Sequence, residues 1–446
     1  MASTFEQIDE HRLTRRDVFP LVGAAALAAL AAPSIASAQQ GDDDDDDDGQ
    51  RAPSRFVYVG TYTFPNTAPG GTKQSTSHGV YVFKMDGSNG ALDLVQIVED
   101  GTQFPTPNPN SPTPLPNPSW LTLDPSQAHL YVTSEVSTWR GTANTGGITA
   151  FSVDATTGLL SRLNDQQTQG QIPAVVTPDP TGRYVLVGNY VGHPPKGTFV
   201  VLPIQSGGQL GAATGVFEVT GTGPDRARQE APHPHDVKFD PAGRFVFGPD
   251  LGTDRVWAWT LDLGAGKLVP VAVNPLDPPY GQVASGSGPR HMTFHPSGKW
   301  AYVIDEMVSS VTAFKYLADH GTFIWLQTVS TLPPDFTGTS STAEIIVHQS
   351  GKFVYGSNRG HNSIVGFHID QTTGKLQVIS WTSTQGSIPR GFNIDPSGRL
   401  MLVGNQNSDT VVPFRINQTN GRLHPTGATT HTPVPVSFAF GRVISG

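Results

Sequence analysis

The chain contains no cysteine, so a disulfide framework, thiolate metal sites and a cysteine nucleophile are all excluded. Charge is sparse too: Asp, Glu, Lys and Arg together make up only 15% of the residues. No Gly-x-Ser-x-Gly elbow is present to carry a nucleophilic serine. The body also lacks the 3.6-residue apolar period of a helical repeat. Turn formers are abundant, with 49 glycines and 38 prolines against 37% hydrophobic residues. That balance points to an all-β chain rich in tight turns.

The N-terminus has a different character. Arg15-Arg16 precede an apolar run from Leu21 to Ala32, and Ala36-Ser37-Ala38 offers a small-residue cleavage site. Residues 1–38 therefore read as a twin-arginine-type export signal. Asp42 to Asp48 follow as seven consecutive carboxylates. At that density like charges repel and stay solvated, so residues 39–55 read as a disordered linker. A calcium loop would need alternating oxygens around a turn and a closing bidentate acid, which this run lacks. The formal charge of −9 falls to about −1 once the signal and the aspartate run are set aside. A near-neutral body has no electrostatic footprint for nucleic acid. The expectation is an exported (periplasmic or extracellular) monomer with no membrane span left after signal cleavage.

From residue 56 onward the chain repeats. One marker is a polar turn seen at Asp124, Asp179, Asp240, His295, His348 and Asp395, mostly followed by Pro-x-Gly. A second is a turn glycine at 90, 158, 208, 266, 321, 374 and 421, a mean period of about 55 residues. That period fits one four-stranded sheet per unit. The first unit lacks its innermost strand, and Pro435 to Phe440 resembles Pro118 to Leu123 closely enough to supply it. The expectation is a seven-bladed β-propeller over residues 56–446, its ring closed by pairing of the N- and C-terminal strands. Thr102 to Pro118 breaks the period and reads as an inserted loop.

A repeat supplies its own control, because positions alike in every unit serve the fold. Five residues before the polar turn stand Ser119, Ala174, His235, Arg290, Ala343 and Arg390. Small residues alternate there with large ionisable ones, at the rim of the channel. Ten residues after the turn stand Ser134, Asn189, Asp250, Asp305, Asn358 and Asn405, all short and polar, which suits a structural role. One residue further come Glu135, Tyr190, Leu251, Glu306, Arg359 and Gln406, with Tyr62 equivalent in the first unit. Such chemical variety is not what packing requires. His235, Arg290, Glu306, Arg359 and Arg390 fall in blades four to seven and should share one concave site. An imidazole, a carboxylate and fixed cations suit polarising a carbonyl, stabilising an oxyanion and moving one proton.

Plainer roles are open to the same residues. Arg290 and Glu306 suit a salt bridge ordering the rim, and His235 suits a hydrogen-bonded structural histidine. His233 and His235, two apart, suit metal ligation, but no third ligand has suitable spacing. His361, close after Arg359, suits either a supporting contact or a turn.

At these residues the chain resembles the β-propeller lactonase family, the 6-phosphogluconolactonase-like propellers related to carboxy-cis,cis-muconate cyclase. The resemblance rests on Val57-Tyr58-Val59-Gly60-Thr61-Tyr62-Thr63, Gly188-Asn189-Tyr190, Gln229 to His235, Gly288-Pro289-Arg290-His291, Ser357 to His361 and Asn405 to Asp409. It implies ring-opening hydrolysis of a lactone by activated water, with no cofactor and no metal. By motif the family's His, Arg, Glu and second Arg fall on His235, Arg290, Glu306 and Arg359. His235 or Glu306 would activate water, while Arg290 and Arg359 would stabilise the carbonyl oxygen and the emerging carboxylate. Arg390, His233, His361, Tyr190 and Gln406 are the expected substrate-binding set. An export signal points away from a phosphorylated sugar lactone. The alternative function is an exported propeller that binds a carboxylate or glycan without turning it over.

Overall fold

The computed structural model describes residues 51–64, 75–100, 103–104, 115–271 and 280–444. The segment read as an export signal, most of the expected aspartate-rich linker and most of the insertion before Pro118 lie outside the described residues.

Seven antiparallel sheets, each with four strands or one more, follow one another along the chain. Blade two holds Trp120–Leu123, His129–Ser134, Gly147–Val153 and Leu160–Gln167 in spatial order. This arrangement is the expected seven-bladed β-propeller, and no helix occurs among the described residues. Central strands are buried along their whole length, as in Phe353–Arg359 and Trp300–Asp305, because each blade is covered on both faces by its neighbours.

The C-terminal strand Pro435–Val443 pairs antiparallel with Arg55–Thr61, placing Ala439 opposite Tyr58 and Phe438 opposite Val59. Blade one is therefore built from both chain ends, and the ring closes there. Inner strands are also stitched blade to blade. Thr61 N donates to Pro118 O at 2.9 Å, Thr177 Oγ1 to Val237 O at 2.6 Å, and Asn393 Nδ2 to Phe438 O at 2.9 Å.

The two turn markers have physical roles. All seven repeat glycines adopt left-handed φ between 63° and 84°, which side chains disfavour. At Gly374 a Cβ would also come within 2.3 Å of the Trp300 ring. In four of the seven the glycine carbonyl accepts the hydroxyl of a buried tyrosine in the preceding blade: Tyr58 to Gly158, Tyr131 to Gly208, Tyr302 to Gly374 and Tyr355 to Gly421. At the polar turn, Asp179 and Asp395 accept backbone N–H groups from the strand that follows. His295 and His348 act differently, linking to Gly351 O and Gly398 O of the next blade.

Two local features depart from the sequence reading. A small extra hairpin, Thr138–Trp139 with Thr142–Ala143, forms a separate two-stranded sheet inserted between His129–Ser134 and Gly147–Val153 of blade two. In blade four the inner strand is only Lys238–Phe239, so His235 precedes the strand instead of opening it. Pro232 and Pro234 lack the N–H that a ladder needs. Pairing survives there as a single Pro234–Asp250 bridge and the 3.0 Å bond from His235 N to Pro249 O.

Candidate active site

At one end of the channel lies a cavity of about 610 Å3, within the usual range for small-molecule sites. His235, Glu306, Arg359, Arg390 and Tyr190 all line it, with Glu135, Asp225 and Arg228. Its floor is the ring of side chains set five residues before the polar turn. Ser119, Ala174, His235, Arg290, Arg390 and Val436 surround a narrow space there. Repeat position thus becomes depth in the channel, one residue per blade. The short polar residues at the later position are structural: Asn189, Asn358 and Asn405 donate to Thr168 O, Thr331 O and Thr384 O at 2.8–2.9 Å.

Glu306 is the hub of the site. Its carboxylate receives Arg228 Nη2 at 2.6 Å, Arg290 Nε at 3.0 Å and Arg359 Nη2 at 2.9 Å. Burial alone would raise this carboxyl; Arg359, Arg290 and Arg228 outweigh it and hold it well below the usual carboxylate range. Three strong donors on one carboxylate leave little basicity to spend on a proton. Arg290 is further fixed by Ala343 O at 2.6 Å, and Arg359 by Thr342 O at 2.6 Å. Burial, and then repulsion from Arg390 and Arg359, brings Arg290 down to about 10, so it stays charged at neutral pH.

His235 has the opposite character. It is buried, and burial together with Arg290, His291 and Arg390 pushes its pKa well below 6.5. Its Nδ1 has no hydrogen-bond partner. The imidazole is therefore neutral at pH 7 and not engaged as a structural donor. Tyr190 meets it edge-on at 5.4 Å and stacks on His233 at 4.5 Å.

Behind the floor, Arg290 Nη1 meets His291 Nε2 at 3.0 Å. Because a guanidinium only donates, His291 accepts there and carries its proton on Nδ1, which faces Glu344 at 3.0 Å. This buried chain anchors Arg290 from below.

Three expected substrate-binding residues are not among those lining the cavity. His233 turns its Nδ1 to Tyr190 O at 2.8 Å and its Nε2 toward Glu230 at 3.2 Å. His361 bonds Ser363 Oγ at 2.7 Å and packs against Phe336. Gln406 is buried beside Asn407. All three are held by local partners, whereas Tyr190 and Arg390 face the cavity. Sequence reasoning missed Arg228, which belongs to no repeat position. It rides on the Gly221–Pro234 connection, pinned by Gln229 Nε2 to Leu251 O and to Asp254, both at 2.8 Å. Its only signal is the run Asp225-Arg226-Ala227-Arg228-Gln229-Glu230, charge-dense in a chain poor in charge.

Comparison with known proteins agrees with this geometry. The family model described as "Lactonase, 7-bladed beta-propeller" matches residues 56–440. A 6-phosphogluconolactonase of Bacillus subtilis is 34% identical over 340 residues, covering 76% of this chain and 85% of its own length. One from Formosa agariphila is 31% identical, covering 76% and 86%. The solved structure of Pseudomonas aeruginosa periplasmic gluconolactonase superposes with a TM-score of 0.74 at 29% identity, covering 87% of this chain and 99% of that one. The chain belongs to the seven-bladed β-propeller lactonase family and is a lactone hydrolase.

Proposed function

We propose that the protein opens an unphosphorylated sugar lactone, with His235 as the group that activates water. The observation that carries this reading is the neutral, unengaged imidazole of His235 in a cavity whose carboxylate hub, Glu306, is saturated by three arginines. Water bound at His235 attacks the lactone carbonyl carbon as its proton passes to the imidazole. The tetrahedral intermediate collapses by breaking the ring C–O bond. The imidazolium returns the proton to the departing ring oxygen, and the product is a hydroxy acid that ionises into solvent. Glu306 is a positioning residue here, since it fixes Arg290 and Arg359, whose field favours negative charge at the carbonyl.

Two considerations favour an unphosphorylated substrate. The cavity lining sets Arg228, Arg359 and Arg390 against Asp225, Glu306 and Glu135, a balance that offers little to a phosphate dianion. The N-terminal segment with Arg15-Arg16 reads as an export signal, which points away from a phosphorylated sugar lactone. The test is hydrolysis of glucono-δ-lactone, 6-phosphogluconolactone and simple aliphatic lactones, with spontaneous opening subtracted. Turnover favouring glucono-δ-lactone supports the proposal, and a strong preference for the phosphorylated lactone contradicts it. A protein that binds sugar acids but opens no lactone is a binding propeller.

A further inference from the structure

Four guanidiniums gather at this site, and three are committed to Glu306. Arg228 and Arg359 reach it directly, and Arg290 spends Nε on Glu306 and Nη1 on Ala343 O and His291. Arg390 differs: among the described residues it makes no hydrogen bond and no ion pair. Its guanidinium carbon instead lies 5.2 Å from the centre of the Tyr62 ring. The Tyr62 hydroxyl is itself tied to both oxygens of Glu135, at 2.9 and 2.8 Å. Stacking on an anchored ring orients the guanidinium without using any of its N–H donors.

Position makes those donors useful. His235 and Arg390 occupy the same repeat position in blades four and seven, three blades apart in a ring of seven, and so face one another across the channel. The ring itself encloses too little space for a ligand, but His235 and Arg390 both also line the cavity of about 610 Å3 directly above it, so a flat ligand resting on this floor can touch both. A lactone lying there with its carbonyl carbon toward water at His235 directs its carbonyl oxygen across the channel.

We infer that Arg390 is a catalytic residue that donates to the lactone carbonyl oxygen and to the oxyanion formed when water adds. The inference rests on the lactonase reading above. As water's O–C bond forms, the carbonyl π pair moves onto oxygen beside Arg390. The same oxygen persists in the product carboxylate. Arg390 thus acts directly on the reacting carbonyl, while Arg290 and Arg359 act through the field that Glu306 arranges.

The experiment compares wild type, Arg390→Gln and Arg390→Lys on glucono-δ-lactone, with gluconate binding measured by calorimetry. Arg390 supports no hydrogen bond of the fold, so both variants should fold, with melting lowered only by the lost stacking on Tyr62. Arg390→Gln is expected to lower kcat by roughly 10²–10³-fold with KM within about threefold, the size of losing one oxyanion donor. Arg390→Lys should recover part of kcat, and gluconate affinity should fall at least about tenfold in the Gln variant. A kcat within threefold of wild type overturns the inference. So does a defect that leaves glucono-δ-lactone untouched and weakens only the binding of the phosphorylated lactone, which would make Arg390 a reader of substrate charge. If wild type opens no lactone, the lactonase reading fails. Gluconate binding then decides Arg390 alone: weakened binding in the Gln variant keeps its contact with the carboxylate oxygen, and unchanged binding removes it.

Discussion

Arg290 Nε donates to Glu306 Oε2 at 3.0 Å, and both side chains are buried at the head of the channel in blade five. Glu306 accepts two more guanidiniums, so this pair is the centre of a network in which one anion holds three cations. Glu306→Gln removes the charge that compensates Arg228, Arg290 and Arg359. Breaking a buried pair from one side typically costs about 3–5 kcal/mol. Thermal melts at pH 7 should show a loss of that order, and lactonase kcat should fall with it. An unchanged melting temperature would mean that solvent, not Glu306, neutralises these arginines.

The same carboxylate sets an acid limb of stability. Its folded pKa is depressed, so its contribution is complete above the ordinary value of 4.5 and drains away as pH falls below it toward the folded value. Urea melts of wild type between pH 6 and 3 should lose stability progressively below about pH 4.5, and Glu306→Gln should flatten that part of the profile.

Asp305, next in sequence, shows the reverse sign. Burial lifts it to about 7, against the hydroxyls of Thr312 and Ser310 that accompany it. A raised folded pKa means stability present below the unfolded value and lost as pH climbs through about 7. Blades three, six and seven carry Asn189, Asn358 and Asn405 at this repeat position. Asp305→Asn should therefore be tolerated and should raise the melting temperature at pH 8 relative to pH 5. A variant less stable at pH 8 would contradict the assignment.

The repeat glycines are a separate test of the blade-to-blade stitching. Gly374→Ala forces a side chain into φ 74° and against Trp300, while Gly374 O is the acceptor of Tyr302. Differential scanning calorimetry should show a loss of roughly 1–3 kcal/mol. Tyr302→Phe, which removes only the hydroxyl, should cost about 1 kcal/mol.

The closed ring and the depth of each candidate residue were legible because the chain repeats. His235, Arg290 and Arg390 share one repeat position, and the fold converts that position into a level in the channel. Glu306 and Arg359 share another, one residue beyond the buried Asp305 and Asn358. Register alone did not suffice, since Gln406 shares the position of Glu306 and Arg359 yet does not line the cavity, and what lies outside the register escaped altogether. Arg228 sits on a connection with no counterpart in other blades, so no internal comparison singled it out. His233 and His361 are adjacent to site residues in sequence, yet prolines at 232 and 234 and the turn at 360 direct them to local partners. The division of labour between His235 and Glu306 depends on how many donors meet one carboxylate, and two of the three come from other blades or connections.

The most direct measurement is kcat/KM for glucono-δ-lactone against pH, in wild type and His235→Gln. With its imidazole neutral well below pH 6.5, wild type should hold a flat kcat/KM from pH 8 down through 6.5. His235→Gln should lose about 10²–10⁴-fold across that range while melting as wild type. A His235→Gln enzyme that opens the lactone as fast as wild type would show that water is activated elsewhere and would contradict the account.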